Sequence, residues 1–332
     1  MPSIINKSDK RILYYLLENA RMSDSAIAKK IGTSKQVVNY RIKRLEKLNI
    51  IMGQKAKINI SLLGFSTFGV YIQLDKAADE KILIEELQKN PFVRWIVSCT
   101  GKWDIIFSVS ARGIGHFNSI LNGIMLKAEK YIKTYDTNIF LYTKDFIPDF
   151  AFDLGRKDKP ALEELHGGKT VKIDQIDIKL LDFLQQNAKM PIFLIAEKLR
   201  ISPYAARYRI KSLMKSGIIN QFKPSINFEA LGYGWYQILL HTKNLTAKEE
   251  ANFLATLKTI RGINYIIKCM GKWNFEILMT LPDNLKFRDS LLELRTKLSD
   301  YIISYDTLIV FRNYKSKTLP EGVLAELMKN KI

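Results

Sequence analysis

The chain has 332 residues, 47% hydrophobic and 26% charged, and carries a formal charge of +19. That balance belongs to a folded chain rather than a disordered one, and its length suggests two or three domains at roughly 150 residues each. Two cysteines (Cys99, Cys269) and three histidines (His116, His166, His241) exclude a disulfide scaffold and a usual four-ligand zinc site, while the excess positive charge points to an acidic partner, nucleic acid first.

The chain opens with three predicted helices. Ile12, Leu13 and Leu16 fall on one helical face, and a second helix follows Ser23 with Ile27 and Ile31 inward. The third starts at Ser34, whose hydroxyl can accept a free N–H of the first turn. Its stripe Val38, Ile42, Leu45 packs inward, which leaves Lys35, Gln36, Asn39, Tyr40, Lys43 and Arg44 on other faces. Ile50–Ile58 then reads as a wing strand. Residues 65–142 follow as strand, helix, hairpin, helix, strand: 65–74, 79–89, 93–99 and 103–110 around Thr100-Gly101-Lys102, 114–130, and 132–142.

After a linker at 146–172 the pattern starts again. Residues 9–64 align with 177–232 at an offset of 168 without a gap, with 23 identities in 56 positions and YRIK repeated whole at Tyr40–Lys43 and Tyr208–Lys211. Beyond about residue 245 the offset is 170, so that Cys99–Asp104 matches Cys269–Asn274 and Tyr131–Thr137 matches Tyr301–Thr307. The unit is too long for a solenoid repeat, so the chain is a duplication of one two-domain protein of roughly 150 residues. In the second copy Ser202 caps the third helix and Pro203 takes its first position, where the missing N–H costs nothing. Ala206, Ile210 and Leu213 face inward, and Tyr204, Arg207, Tyr208 and Lys211 occupy the outward positions. Ile218–Ile226 is the second wing. Strands are expected near 233–242, 263–269, 273–281 and 302–311, with helices near 246–259 and 283–299.

Charge is not spread evenly. Residues 7–58 hold thirteen Lys/Arg against four Asp/Glu, and residues 172–224 hold ten against four, so these segments carry +15 of the +19. A phosphate-backbone binder has this footprint. Asn39 has the side chain for a bidentate adenine contact and Arg207 for guanine. Arg41 and Arg209 either touch phosphate or pair with a carboxylate, and are not counted as base readers.

The chain resembles two Lrp/AsnC-family (leucine-responsive, feast/famine) transcription regulators fused head to tail. The resemblance rests on Asp9…Ile12-Leu13, Asn19-Ala20-Arg21, Ile27-Ala28, Ser34…Tyr40–Glu46, Ile50-Ile51, Leu63-Gly64 and Gly101–Asp104, with matching positions in the second copy, and it covers about 8–143 and 175–312. It implies an α+β fold: two copies of a winged helix-turn-helix followed by a βαββαβ ferredoxin-like domain that serves effector binding and oligomerisation. The expected boundaries are 1–60 and 61–145 for the first copy, 146–172 for the linker, 173–228 and 229–314 for the second copy, and 315–332 for a tail. It further implies a sequence-specific regulator of double-stranded DNA, built as a single-chain pseudo-dimer that self-associates further. Gly101, Lys102, Trp103, Asp104 and Gly271, Lys272, Trp273, Asn274 become candidate contacts for an amino acid or related small-molecule effector. Asn274 in place of Asp104 implies a second site without the carboxylate that would hold an ammonium group. Different outward residues on the two third helices imply unlike half-sites.

A second resemblance is to siroheme decarboxylases, enzymes of the same two-domain fold. Their Trp-Pro-Tyr-Asn element is absent here, where Gly-Lys-Trp stands instead, and His241 is the sole histidine placed near a strand. An architectural, sequence-tolerant DNA coater would share the charge footprint. No catalytic residue, metal or cofactor is expected. His166–Thr170 imitates the end of a P-loop, but a helix-turn-helix follows it and Glu163 stands where the first glycine belongs. Gly113-Ile-Gly115 lacks the third glycine of a dinucleotide loop. Tyr131, Tyr135, Tyr301 and Tyr305 read as packing residues, and Cys99 and Cys269 as small buried hydrophobes. A short helix is expected at Pro160–Leu165 and another in the tail. No apolar run approaches the roughly 18 residues of a membrane span, and the N-terminus lacks a signal-peptide core. The expected location is cytoplasmic and nucleoid-associated.

Overall fold

The computed structural model describes residues 5–148, the backbone of 162–165, and residues 169–329. The first half contains α1 (Lys7–Glu18), α2 (Asp24–Ile31), α3 (Lys35–Lys47) and β1 (Ile51–Ile58), then β2 (Ser66–Leu74), α4 (Glu80–Lys89), β3 (Val93–Thr100), β4 (Ile105–Ala111), α5 (Ile114–Ala128) and β5 (Ile132–Asp145). A short strand, β6 (Leu162–Leu165), precedes the second half. There α6 (Gln175–Gln186), α7 (Ile192–Leu199), α8 (Pro203–Lys215) and β7 (Ile219–Ile226) lead into β8 (Gly234–Thr242), α9 (Ala247–Thr259), β9 (Ile263–Gly271), β10 (Phe275–Leu281), α10 (Asn284–Leu298) and β11 (Ile302–Ser316). Helix α11 (Glu321–Lys329) follows.

The helix ends are set by local chemistry. Asn6 and Asp9 form a capping box on α1, and Asp174 and Asp177 repeat it on α6. The Val37 N–H donates to the Ser34 hydroxyl at 3.2 Å and the Ala205 N–H to that of Ser202 at 3.1 Å, so both third helices start where their serines stand.

The two wings pair with each other. β1 runs antiparallel to β7, with Lys55 opposite Lys223 and Ala56 opposite Phe222. Each winged-helix core is thereby completed by the other half. Ala56 and Ile58 of β1 are buried among Leu180, Leu181 and Leu184 of α6, and Ile226 of β7 among Leu13, Leu16 and Ile42. Backbone bonds cross as well: the Ala20 N–H donates to Phe222 O at 2.8 Å and the Ala188 N–H to Gln54 O at 2.7 Å.

Among the described residues the other nine strands form one sheet, in the order β2-β4-β3-β11-β8-β10-β9-β5-β6, and β5 also pairs with β2. Eight strands thus close on themselves. β5 and β11 close the ring. The first part of β5 pairs with β2 of its own half and its last part with β9 of the other; β11 does the same with β8 and β3. Both strands run longer than their sequence pattern predicts, to Asp145 and Ser316, because the extra residues lie on the other half's edge strand. On the outer face Phe68, Val70 and Ile72 pack under α4 and α5, and Ile238, Leu240 and Ile277 under α9 and α10. The inner face encloses a shared core of Tyr71, Val97, Trp103, Leu239, Trp273 and Leu308.

Two expectations about the connecting segments need revision or completion. Residues 162–165 form a strand paired with Tyr142–Asp145, not part of a helix, because β5 extends past β2 and leaves a backbone edge to satisfy. Residues 166–168 of the P-loop-like stretch lie outside the described residues. The tail helix α11 touches both halves. Val323 and Leu327 enter the α6 core, while the Gly322 N–H donates to Pro91 O at 2.8 Å and Glu326 pairs with Arg112 at 2.6 Å.

Candidate nucleic-acid interface

Helices α3 and α8 each bury one stripe and show another to solvent. Val38, Ile42 and Leu45 are buried on α3, and Ala206, Ile210 and Leu213 on α8. Ser34, Lys35, Gln36 and Lys43 are exposed, as are Ser202, Arg207 and Lys211. The three tyrosines stand far out: Tyr40 is 69% exposed, Tyr204 78% and Tyr208 64%. Large aromatic groups held in water beside lysines and arginines suit contact with base edges and sugars.

Asn39 does not stand free in this way. Its amide donates to Asp24 on α2 at 2.8 Å, so it joins the two helices of the helix-turn-helix. Arg44 is also drawn inward. It reaches the fully buried Asp9 carboxylate at 3.2 Å, beside Arg41 at 2.9 Å. In the second half Arg209 takes Asp174 and Asp177, each at 2.8 Å. Arg41 and Arg209 therefore brace the third helix against the first. Asp9 and Asp177 are the N3 residues of the capping boxes, and their second role as arginine anchors has no separate signature in the sequence.

The Gly-Lys-Trp turns lie where the halves meet. Gly101 has φ +130° and Gly271 φ +144°, a backbone state that favours glycine. A Cβ on Gly101 would come within 2.8 Å of Thr307 O, and one on Gly271 within 2.7 Å of Thr137 O, both across the boundary. Lys102 pairs with Asp306 at 3.5 Å and Lys272 with Asp136 at 2.9 Å, again across it. Trp103 and Trp273 are buried, edge to face, with ring centroids 5.8 Å apart.

Asp104 and Asn274 do one job. Asp104 accepts the Leu74 N–H at 2.8 Å and Asn274 accepts the Thr242 N–H at 2.8 Å, each clasping the end of its own first sheet strand. The substitution keeps that contact, since an amide oxygen accepts as a carboxylate does. An open groove of about 600 Å³ lies between the end of α5 and the start of β5, lined by Asn122, Met125, Leu126 and Tyr135 and by none of the turn residues.

A link between wings and sheet has no signature in the sequence pattern. The Asp145 carboxylate at the end of β5 is buried and takes Lys57 of β1 at 3.0 Å and Lys223 of β7 at 2.6 Å. Burial pushes its pKa up, but the two ammonium groups outweigh this and hold it below the usual carboxylate value. Each wing thus contributes one lysine to a single acid of the ring.

Comparison with known proteins fits this architecture. The winged helix-turn-helix DNA-binding family matches residues 5–52 and 173–220, the two three-helix modules with the start of each wing. An uncharacterised HTH-type transcriptional regulator of Pyrococcus horikoshii is 32% identical over 114 residues, 33% of this chain and 76% of the relative. The chain belongs to the winged helix-turn-helix, HTH-type transcriptional regulators. The solved structure of AsnC from E. coli is 25% identical, with a TM-score of 0.38 over 41% of this chain and 91% of AsnC. A siroheme decarboxylase, NirDL, has a TM-score of 0.64 over 97% of this chain and 99% of its own, at 11% identity. At that identity the likeness shows the tandem fold alone. The winged helix-turn-helix module is therefore present twice in this chain, and among the described residues no helix is long and apolar enough to cross a membrane.

Proposed function

We propose that this Lrp/AsnC chain is a sequence-specific transcription regulator that acts as a single-chain pseudo-dimer, with α3 and α8 in successive major grooves about 34 Å apart. One observation carries the reading. Two recognition helices with unlike outward residues are joined by one antiparallel ribbon, β1–β7, so the halves address DNA together but read different half-sites. Lys35, Gln36, Tyr40 and Lys43 serve one half-site; Tyr204, Arg207, Tyr208 and Lys211 serve the other; Ser34 and Ser202 hold the helix starts that approach the backbone. The operator is then not a true palindrome. A cytoplasmic, nucleoid-associated location, further self-association of whole chains and an amino-acid-like effector acting where the halves meet belong to this reading.

Fragments of the source genome selected by binding, then titrated against a scrambled fragment at about 150 mM salt, test it. A preference of about 10³-fold or more with a footprint over two half-sites supports a specific regulator. Equal, steeply salt-dependent binding to both fragments indicates an architectural DNA binder instead. The whole-chain likeness to NirDL favours one second reading, a siroheme-modifying enzyme. Anaerobic incubation with siroheme separates the two, since a regulator leaves the column colourless.

A further inference from the structure

The shared core inside the ring is nearly twofold in backbone and not in chemistry. On one side Glu276 of β10 is buried and accepts four donors. Tyr71 O–H reaches it from β2 and the Asn138 amide from β5 at 3.4 Å, both in the first half. Gln237 of β8 donates at 2.8 Å and the Cys269 thiol of β9 at 3.2 Å, both in the second. Asn138 also accepts the Trp273 N–H at 3.3 Å. Every one of these side chains is buried.

The repeat offsets identify the same places on the other side. Glu276 corresponds to Ile106, Tyr71 to Leu239, Asn138 to Leu308, Gln237 to Gly69, and Cys269 to Cys99. Ile106, Leu239, Leu308 and Cys99 are buried together in the shared core. One side of the interface is thus a polar cluster drawn from both halves, and its counterpart is apolar.

The consequence lies in which halves can pair. If the first half met a copy of itself, Tyr71 and Asn138 would face Ile106 of the copy. If the second half met a copy of itself, Glu276 and Gln237 would face Leu239 and Leu308. Either arrangement, repeated on both sides of its axis, keeps only the bonds made within one half and strips these buried polar groups of their partners across the boundary, and an unmet buried polar group costs more than a made hydrogen bond returns. Only the unlike pairing brings all the donors to the acid and gathers Ile106, Leu239 and Leu308 on the other side.

We propose that the Glu276 cluster is a pairing key, which makes each half's inner face complementary to the opposite half and not to a copy of itself. The inference rests on the single-chain pseudo-dimer and deepens it. The interface accepts an unlike half, from the same chain or from another copy exchanging halves, and disfavours like-with-like assembly. A buried polar group that fixes the partner at some expense of stability has precedent in the polar core positions of coiled coils.

Like-with-like contacts can be reproduced inside one full-length chain. Glu276→Ile with Gln237→Gly gives Tyr71 and Asn138 the surroundings of a first-half pair. Tyr71→Leu with Asn138→Leu gives Glu276 and Gln237 those of a second-half pair. The four changes together make both sides apolar. Denaturant midpoints are measured for wild type, both double variants and the quadruple variant. Each double variant is expected to unfold at lower denaturant than wild type, and the quadruple variant to recover most of the combined loss. Double variants as stable as wild type would overturn the proposal, because like halves would then pair equally well. A quadruple variant that loses the sum of the two, or does not fold, would overturn it too, because the losses would belong to each position rather than to the match. Zero-length carbodiimide coupling of the wild type, read by mass spectrometry, tests the underlying pairing separately. Lys102–Asp306 and Lys272–Asp136 links within one chain are expected, and their absence defeats the pseudo-dimer itself whatever the variants do.

Discussion

Asp104 and Leu74 are joined by a bond from the Leu74 N–H to the carboxylate at 2.8 Å, and Asn274 makes the same bond to Thr242. The family turn therefore has an internal task that either side chain performs. Asp104→Asn should leave the unfolding midpoint unchanged, whereas Asp104→Ala should cost about 1 kcal/mol, the usual loss for one hydrogen bond. Urea denaturation of the two variants checks this. Equal destabilisation by both would show that the negative charge, not the acceptor, is what the turn needs.

Asp145 predicts an acid limit to the joint between wings and ring. Its folded pKa lies below the unfolded value of about 3.9, so its contribution to stability is fully present above that pH and disappears as pH falls through the folded value. Asp145→Asn should destabilise by about 3–5 kcal/mol, because Lys57 and Lys223 remain mostly buried without their acid. Denaturation curves between pH 3 and pH 6 should show a smaller pH dependence for the variant than for wild type. An identical slope would place the acid sensitivity in other carboxylates.

On DNA, arginines that look alike in sequence should behave differently. Arg207 is exposed on α8, and Arg207→Ala should cost about 1–3 kcal/mol and relax preference at one half-site only. Lys43→Ala and Lys211→Ala should weaken all sequences alike and each lower the salt slope by about one. Arg41→Ala should instead lower the thermal midpoint, since it strips a partner from the buried Asp9. Moving residues 34–44 into the matching positions of the second copy should convert its half-site preference to that of the first. Unchanged selection after that exchange would place readout outside the third helices.

Much of this was legible because the duplication repeats many of the local signals. Ser34, Ser202 and the apolar stripes mark the third helices, and Gly101 and Gly271 mark the hairpins. What did not show was anything decided across the boundary between halves. Strand pattern ends β5 near Tyr142, but its last residues, Thr143 to Asp145, find partners on β9 at Ile267 to Tyr265, in the other half of the chain. Asn39 looks like an adenine reader by type and helical position, and only the packing of α2 reveals Asp24 within reach. Glu276 and Ile106 align as an ordinary mismatch between repeats. Their opposition becomes meaningful once the ring brings Tyr71 and Asn138 to one of them and Leu239 and Leu308 to the other.

The same acid sets a pH response of opposite sign to that of Asp145. Burial raises the Glu276 pKa, and the donors from Tyr71, Cys269, Asn138 and Gln237 pull it back only in part. The unfolded chain, with an ordinary glutamate near 4.3, gives up this proton more readily than the folded chain does. Stability from this site is therefore highest below the unfolded value and falls as pH rises from there to the folded value. Glu276→Gln carries no such proton and should flatten that part of the profile while keeping an acceptor for Tyr71. Denaturant midpoints across pH 4 to pH 8 separate the cases. The variant should gain on wild type as pH rises, and parallel profiles would mean that Glu276 stays protonated in both states or ionised in both.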